Sequence, residues 1–164
     1  MDNFWQRAMI ESGEIKDGET RYVVFRADVI ASMVNGLPKA VKQQLLESFR
    51  LAVKTNGGRS LNNYLAMVGN DNTALLDTVA ATASSLGWGE WHFDYTEDHL
   101  MLEVTNSPFA AFTGDTSSTC CAPILGMFSA VADTLFANTA VTALETSCAG
   151  HGGDRSRFEV AIIP

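Results

Sequence analysis

Trp91-His92-Phe93-Asp94-Tyr95-Thr96-Glu97-Asp98-His99-Leu100-Met101-Leu102-Glu103-Val104-Thr105 is the stretch that decides the fold. Trp91, Phe93 and Tyr95 alternate with His92 and Asp94. Leu100, Leu102 and Val104 alternate with Met101, Glu103 and Thr105. A period of two sends successive side chains to opposite faces of a strand. Glu97-Asp98 falls between the two runs as a turn, so the spacing predicts an antiparallel hairpin with one aromatic-rich face. Asn106-Ser107-Pro108 stops its second strand.

Toward the N-terminus the period is helical. Residues 27–34 read as a helix stopped by Asn35-Gly36. Pro38 opens a longer one, at the first-turn position where proline is tolerated. Val41, Leu45, Phe49 and Ala52 form its apolar stripe, with Lys39, Lys42, Glu47 and Arg50 opposite. Asn56-Gly57-Gly58 is expected to interrupt it before Leu61, Leu65 and Val68 resume the period. Asn72-Thr73 then caps a helix whose stripe is Leu75, Leu76, Val79, Ala83 and Leu86, ended by Gly87. Residues 1–20 are a polar N-terminal extension with turns at Gly13 and Gly18. Arg21-Tyr22-Val23-Val24-Phe25 reads as a short strand.

Toward the C-terminus, residues 109–119 read as a loop. Residues 121–136 are apolar almost all round, the mark of a deeply buried helix. Two closing strands are expected near 140–146 and 156–163, with Gly150, Gly152 and Gly153 between them. Helices first and antiparallel strands afterwards make an α+β domain, one unit over residues 1–164.

Composition narrows the function. The chain has 164 residues, an apolar fraction of 46%, and 19 acidic against 11 basic residues for a net charge of −8. Such a field repels phosphate backbones, so no nucleic-acid partner is expected. No run of 18 apolar residues occurs and the first residues lack a signal-peptide pattern, so the reading expects a cytoplasmic protein without a membrane span. All three cysteines lie in the last quarter: Cys120 and Cys121, then Glu145-x-x-Cys148, followed by His151-Gly152-Gly153. Thiolate with carboxylate or imidazole is a metal-ligand vocabulary. An odd number of cysteines in a reducing compartment reads as thiols or ligands. No dinucleotide fingerprint, phosphate-binding loop or nucleophile elbow occurs, and a binding protein is expected rather than an enzyme.

The order of these motifs resembles a known family. Gly57-Gly58-Arg59, Leu86-Gly87-Trp88-Gly89, Asn106-Ser107-Pro108-Phe109, Cys121 with Gly126, Glu145-x-x-Cys148, a glycine turn and Phe158-x-Val160 follow one another over most of the chain. The set looks like the small-molecule-binding domain named after 4-vinyl reductase. The resemblance implies N-terminal helices packed on a mainly antiparallel sheet, akin to vesicle-tethering (TRAPP) subunits and haem nitric-oxide-binding domains. It implies a hydrophobic or hydrocarbon-type small molecule between helices and sheet, a sensor role as in the input domains of aromatic-responsive activators, and a homodimer, with Phe4 and Trp5 as a candidate contact. In the sensory members a structural zinc is held by Cys, Glu-x-x-Cys and a last Cys. The first three fall on Cys121, Glu145 and Cys148, and the fourth on Ser156. His151 could substitute for the missing ligand, or the cysteines are small buried core residues and no metal binds. Cys120 reads as a neighbour rather than a ligand.

An apolar pocket needs aromatic walls and a few polar anchors. Trp88, Trp91, Phe93, Tyr95, Phe109, Phe112 and Phe128 gather around the hairpin and the buried helix, and His92 and His99 are candidate anchors. Where the aromatic-sensing members carry a tryptophan before Asn-Ser, this chain has Val104-Thr105. The first expectation is therefore a stand-alone ligand-binding or sensor domain. The alternatives are an accessory protein in tetrapyrrole (vinyl) reduction and a structural assembly subunit with a protein partner.

Overall fold

The computed structural model describes residues 4–112 and 121–162. Its organising unit is the hairpin expected from the alternating stretch. Strands β4 (Glu90–Thr96) and β5 (His99–Thr105) pair antiparallel with Trp91 opposite Val104, Phe93 opposite Leu102 and Tyr95 opposite Leu100. Leu100, Leu102 and Val104 are wholly buried, so the period of two did identify the core face. β6 (Val141–Ser147) and β7 (Ser156–Ile162) complete an antiparallel sheet in the order β4-β5-β7-β6. Fold class and sheet topology agree with the α+β expectation.

Helix α5 (Ala122–Leu135) packs on helix α3 (Lys39–Val68) and on strands β6 and β7. Contacts with both layers explain why ten of its residues are buried and why its sequence is apolar almost all round. Gly126 sets the approach of the two helices. A Cβ there would lie 2.3 Å from the Arg50 carbonyl oxygen and 3.1 Å from Val53 Cβ. α4 (Asn72–Ser85) packs on β4 and on α3.

Several local expectations are corrected. Asn56-Gly57-Gly58 does not interrupt α3, which runs unbroken for 30 residues. Gly57 meets a packing need instead, since a Cβ there would stand 2.6 Å from Met127 Sδ. The apolar stripe at the start of α3 is turned by one position. Val41 and Ala52 are exposed while Leu46 is buried. Lys42, expected on the outer side, is buried too, and its ammonium donates to Asn35 Oδ1 at 2.8 Å. Its stem covers apolar surface while its head finds a neutral acceptor. The cap of α4 is Asp71, whose carboxylate accepts from Ala74 N at 3.0 Å, rather than Asn72-Thr73.

The N-terminal extension is structured. Helix α1 (Phe4–Arg7) precedes a three-stranded sheet of β1 (Met9–Glu11), β2 (Glu14–Asp17) and β3 (Thr20–Tyr22). The turns do fall at Gly13 and Gly18, both with positive φ. The expected strand over 21–25 is realised only through Tyr22, and Val23, Val24 and Phe25 lie exposed beyond it. Phe4 belongs to this chain's own interior. It is fully buried, edge-on to Tyr22 at 4.6 Å. Trp5 Nε1 donates to the Ser85 carbonyl at 2.7 Å, which ties the extension to the end of α4. Helix α2 (Ala27–Asn35) follows and ends at Gly36, close to its expected stop.

Candidate functional site: a cysteine–glutamate centre and two aromatic clefts

The centre forms where α5 begins and where β6 turns into β7. Cys121 precedes the first residue of α5, and Pro123 sits in the first turn. Glu145 lies in β6 opposite Phe158, and a register shift between Glu145 and Ser147 bulges the strand just before Cys148. The ligand atoms of Cys121, Glu145 and Cys148 all lie within 4.8 Å of one another. Ser156, the first residue of β7, is fully buried, with its Oγ 3.3 Å from Cys121 Sγ. Ser156, on which the resemblance placed the fourth ligand, thus stands beside the group in space. His151 is exposed on the short turn Ala149–His151 and is not in the group. Cys120 lies outside the described residues.

Backbone hydrogen bonds brace the centre. Cys121 N donates to Glu145 Oε1 at 3.4 Å, Ala149 N to Ser156 Oγ at 3.1 Å and Gly150 N to Cys148 Sγ at 3.3 Å. Gly150 has no room for a side chain, because a Cβ would sit 2.2 Å from the Ala110 carbonyl oxygen. Burial, and next the Glu145 carboxylate, push the Cys121 thiol up to about 11. A divalent cation reverses that balance by favouring the thiolate. Two sulfurs and a carboxylate are good zinc donors and a serine hydroxyl is a poor one, so the group can hold a metal with three strong ligands. Cys148 is disulfide-bonded. A metal needs its thiolate, so the centre takes a metal only in the reduced form.

Two clefts flank the aromatic cluster. The first, of about 350 Å³, is walled by Phe4, Phe25, Phe49, Trp88, Phe109 and Phe112 among others. Within that wall Trp88 and Phe112 stand edge-on to Phe109, at 5.0 and 5.5 Å. The second, of about 440 Å³, lies between α3, the end of α4 and the start of β4. Its walls are Val53, Tyr64, Val79, Trp88, Trp91 and Met127, and its rim carries Asn56, Arg59, Ser60 and Asn63. Both volumes fall in the range of small-molecule sites.

Of the seven aromatic residues singled out from sequence, Trp88, Trp91, Phe109 and Phe112 line these clefts. Phe93, Tyr95 and Phe128 do not. Phe128 packs against Phe158 in the core, and Tyr95 accepts a hydrogen bond from Asn72 and faces Phe136. Phe93 packs partly buried against the core. His92 and His99 line neither cleft. Sequence reasoning missed Tyr22, Tyr64, Arg59 and Met127. The spacing Val53, Asn56-Gly57, Ser60, Tyr64 is a helical face that holds the signal for the α3 wall, hidden because half of it is polar.

Tyr22 borders both clefts, and burial, with Tyr64 nearby, pushes its hydroxyl up to about 12 from an ordinary 10.0. An unfolded tyrosine ionises first, so the unfolded chain binds fewer protons over that window. Stability is therefore fully present below about pH 10 and falls as pH rises toward about 12. Urea midpoints at about pH 9 and about pH 11 should differ by less in Tyr22→Phe than in the parent, the remainder belonging to Tyr64, whose hydroxyl burial also pushes up.

Neither a family model nor a curated protein sequence matches the chain. Solved structures do. The chain is similar to the phenol-responsive sensory domain of the transcription activator PoxR, solved with phenol, at 15% identity and TM-score 0.77, over 96% of this chain and 85% of that one. It is similar to a vinyl-4-reductase family protein from Methanocaldococcus jannaschii at 15% identity and TM-score 0.53, over 90% and 86%. It is also similar to trafficking protein particle complex subunit 3 from Naegleria fowleri, covalently bound to palmitic acid, at 12% identity and TM-score 0.54, over 84% and 95%. At such identities the likeness shows the fold. These neighbours are of the kinds that the sequence resemblance implied.

Proposed function

We propose that this chain is a small-molecule-binding sensor domain whose ligand, hydrophobic or aromatic, enters the cleft between α3, α4 and β4. The observation that carries the reading is that cleft itself: about 440 Å³, apolar within and polar at its rim. The sensory neighbour holds phenol, and the trafficking neighbour holds a fatty acyl chain, so the same fold accommodates apolar guests elsewhere. Trp88 and Trp91 in the wall make binding visible as a change in fluorescence. Titration with phenol or 4-ethylphenol should give a saturable change. Ser60→Phe, on a half-buried position of the rim, should fill the cleft and abolish it while the circular dichroism spectrum is retained. A chain that serves only as an assembly subunit shows no saturable site for any apolar probe.

In this reading Cys121, Glu145 and Cys148, with Ser156 beside them, hold a structural zinc when reduced. Zinc there supplies a cross-link from the start of α5 to β6 and no chemistry on a ligand. The domain acts as a homodimer. Val23, Val24, Phe25, Val29 and Met33 are each more than half exposed, and this apolar run is the surface that a second copy would cover. Light scattering at micromolar concentration should give twice the chain mass. The double variant Val29→Asp, Met33→Asp should give a single chain mass. Among the described residues no helix is long and apolar enough to cross a membrane.

A further inference from the structure

Nineteen acidic residues give the chain a net charge of −8, yet among the described residues none of them lines the second cleft. Among the described residues the one charged side chain there is Arg59. It stands on α3, where the spacing 56, 59, 60, 63 gathers Asn56, Arg59, Ser60 and Asn63 along one edge of the cleft. Arg59 Nη1 donates to the neutral Asn56 Oδ1 at 3.4 Å, which steadies the guanidinium without discharging it. Below this rim the lining becomes apolar, with Val79, Leu86, Trp88, Trp91 and Met127. Tyr64 and Thr82, both buried, are bonded to each other through their side chains. The cleft is thus polarised along its depth, from a cation and amide donors at the mouth to an aromatic floor.

We propose that this cleft takes an amphipathic monoanion, an aryl or alkyl carboxylate, with its apolar body against Trp88, Trp91 and Met127 and its acid group on the Arg59 guanidinium. The inference rests on the reading of the cleft as a ligand site and adds the ligand's charge class. A planar guanidinium matches a carboxylate through two parallel, charge-assisted N–H donors, whereas a neutral hydroxyl offers a single uncharged oxygen. The Asn63 amide, and the second N–H of an Asn56 amide that already donates to the Ala52 carbonyl at 2.8 Å, offer further donors to the same group. An exposed cation with no carboxylate in the lining also draws an anion toward this mouth. Met127 adds an adaptable wall, since its sulfur lies where a Gly57 side chain would stand.

The test is a matched pair of probes, 4-propylbenzoate and 4-propylbenzyl alcohol, titrated by tryptophan fluorescence and calorimetry into the parent chain and Arg59→Gln. Arg59 is exposed, so the variant should fold, and circular dichroism checks it. The expected result is that the carboxylate binds at least about tenfold more tightly than the alcohol in the parent. Raised salt should narrow that preference, and Arg59→Gln should erase it through loss of carboxylate affinity, with the alcohol's affinity falling far less. Equal affinity for acid and alcohol in the parent, or a preference that survives Arg59→Gln, overturns the proposal and leaves the cleft as a site for neutral guests. Failure of both probes to bind sinks the reading of the cleft as a ligand site, and this inference with it.

Discussion

Alanine at Gly126 is expected to destabilise the domain toward the upper end of the overpacking range of about 1–3 kcal/mol. The added methyl would stand 2.3 Å from the Arg50 carbonyl oxygen. Its obstacle is main chain of a 30-residue helix, which cannot swing aside as a side-chain tip does. Relief requires α5 to lift from α3. α5 also packs on β6 and β7, so lifting it opens the core that those layers share. Alanine's better helix propensity, about 0.8–1.0 kcal/mol, offsets only part of the loss. Gly58 provides the internal control. It also lies within a helix, but a Cβ there meets nothing within 4 Å. Gly58→Ala should therefore stabilise by about 0.5–1 kcal/mol. Urea unfolding of both variants reads the difference. Equal midpoints for the two would show that the α3–α5 contact is not as close as described.

The two glycine positions also show what the sequence could and could not tell. Asn56-Gly57-Gly58 looks like a break because local propensity is all that a sequence displays. Tertiary packing on α5 carries the helix straight through it. The hairpin was legible because alternation is a strong signal when one face is wholly buried, as Leu100, Leu102 and Val104 are. α5 was legible for the converse reason, since a helix covered on more than one side needs no polar stripe. Of the small N-terminal sheet only part of β3 was legible. Its strands are of three or four residues and none alternates in burial, so no period emerges.

Legibility of the site divides in the same way. Cys121, Glu145 and Cys148 are chemically distinctive and few in number, while Ser156 was reached only through the family resemblance. The α5 start and the β6–β7 junction bring the four together. The clefts are built from ordinary core residues, which sequence does not distinguish from filler. Phe128 and Trp91 read alike in sequence, yet one is core against Phe158 and the other walls a cavity. Arg59 entered the sequence reading only within the Gly57-Gly58-Arg59 motif and not as a site residue, because an arginine beside a glycine pair is ordinary. Only the fold shows that it stands at the mouth of a cleft lined by no carboxylate among the described residues.

Cysteine at Ser156 is expected to raise zinc affinity by roughly 10–100-fold as a floor, that being the range commanded by a single outer-shell partner. The parent offers two sulfurs and a carboxylate within 4.8 Å of one another, and a serine hydroxyl 3.3 Å from Cys121 Sγ. Structural zinc sites close with four good donors, and Ser156→Cys supplies the fourth where a weak one now stands. Reduction comes first, because Cys148 is disulfide-bonded and a disulfide sulfur is not a thiolate ligand. The Cys121 thiol, held up at about 11, must also lose its proton to bind metal, so affinity should fall steadily as pH is lowered. Elemental analysis of reduced protein should find one zinc per chain, lost in Cys121→Ser. A chelator competition should rank Ser156→Cys above the parent. Because zinc would bind the folded form alone, its removal should lower the thermal midpoint of the reduced protein, and more so in Ser156→Cys. Should reduced Ser156→Cys take up no zinc, the four residues are buried core neighbours and the metal centre is lost from the reading. The ligand cleft would then stand or fall on its own titration.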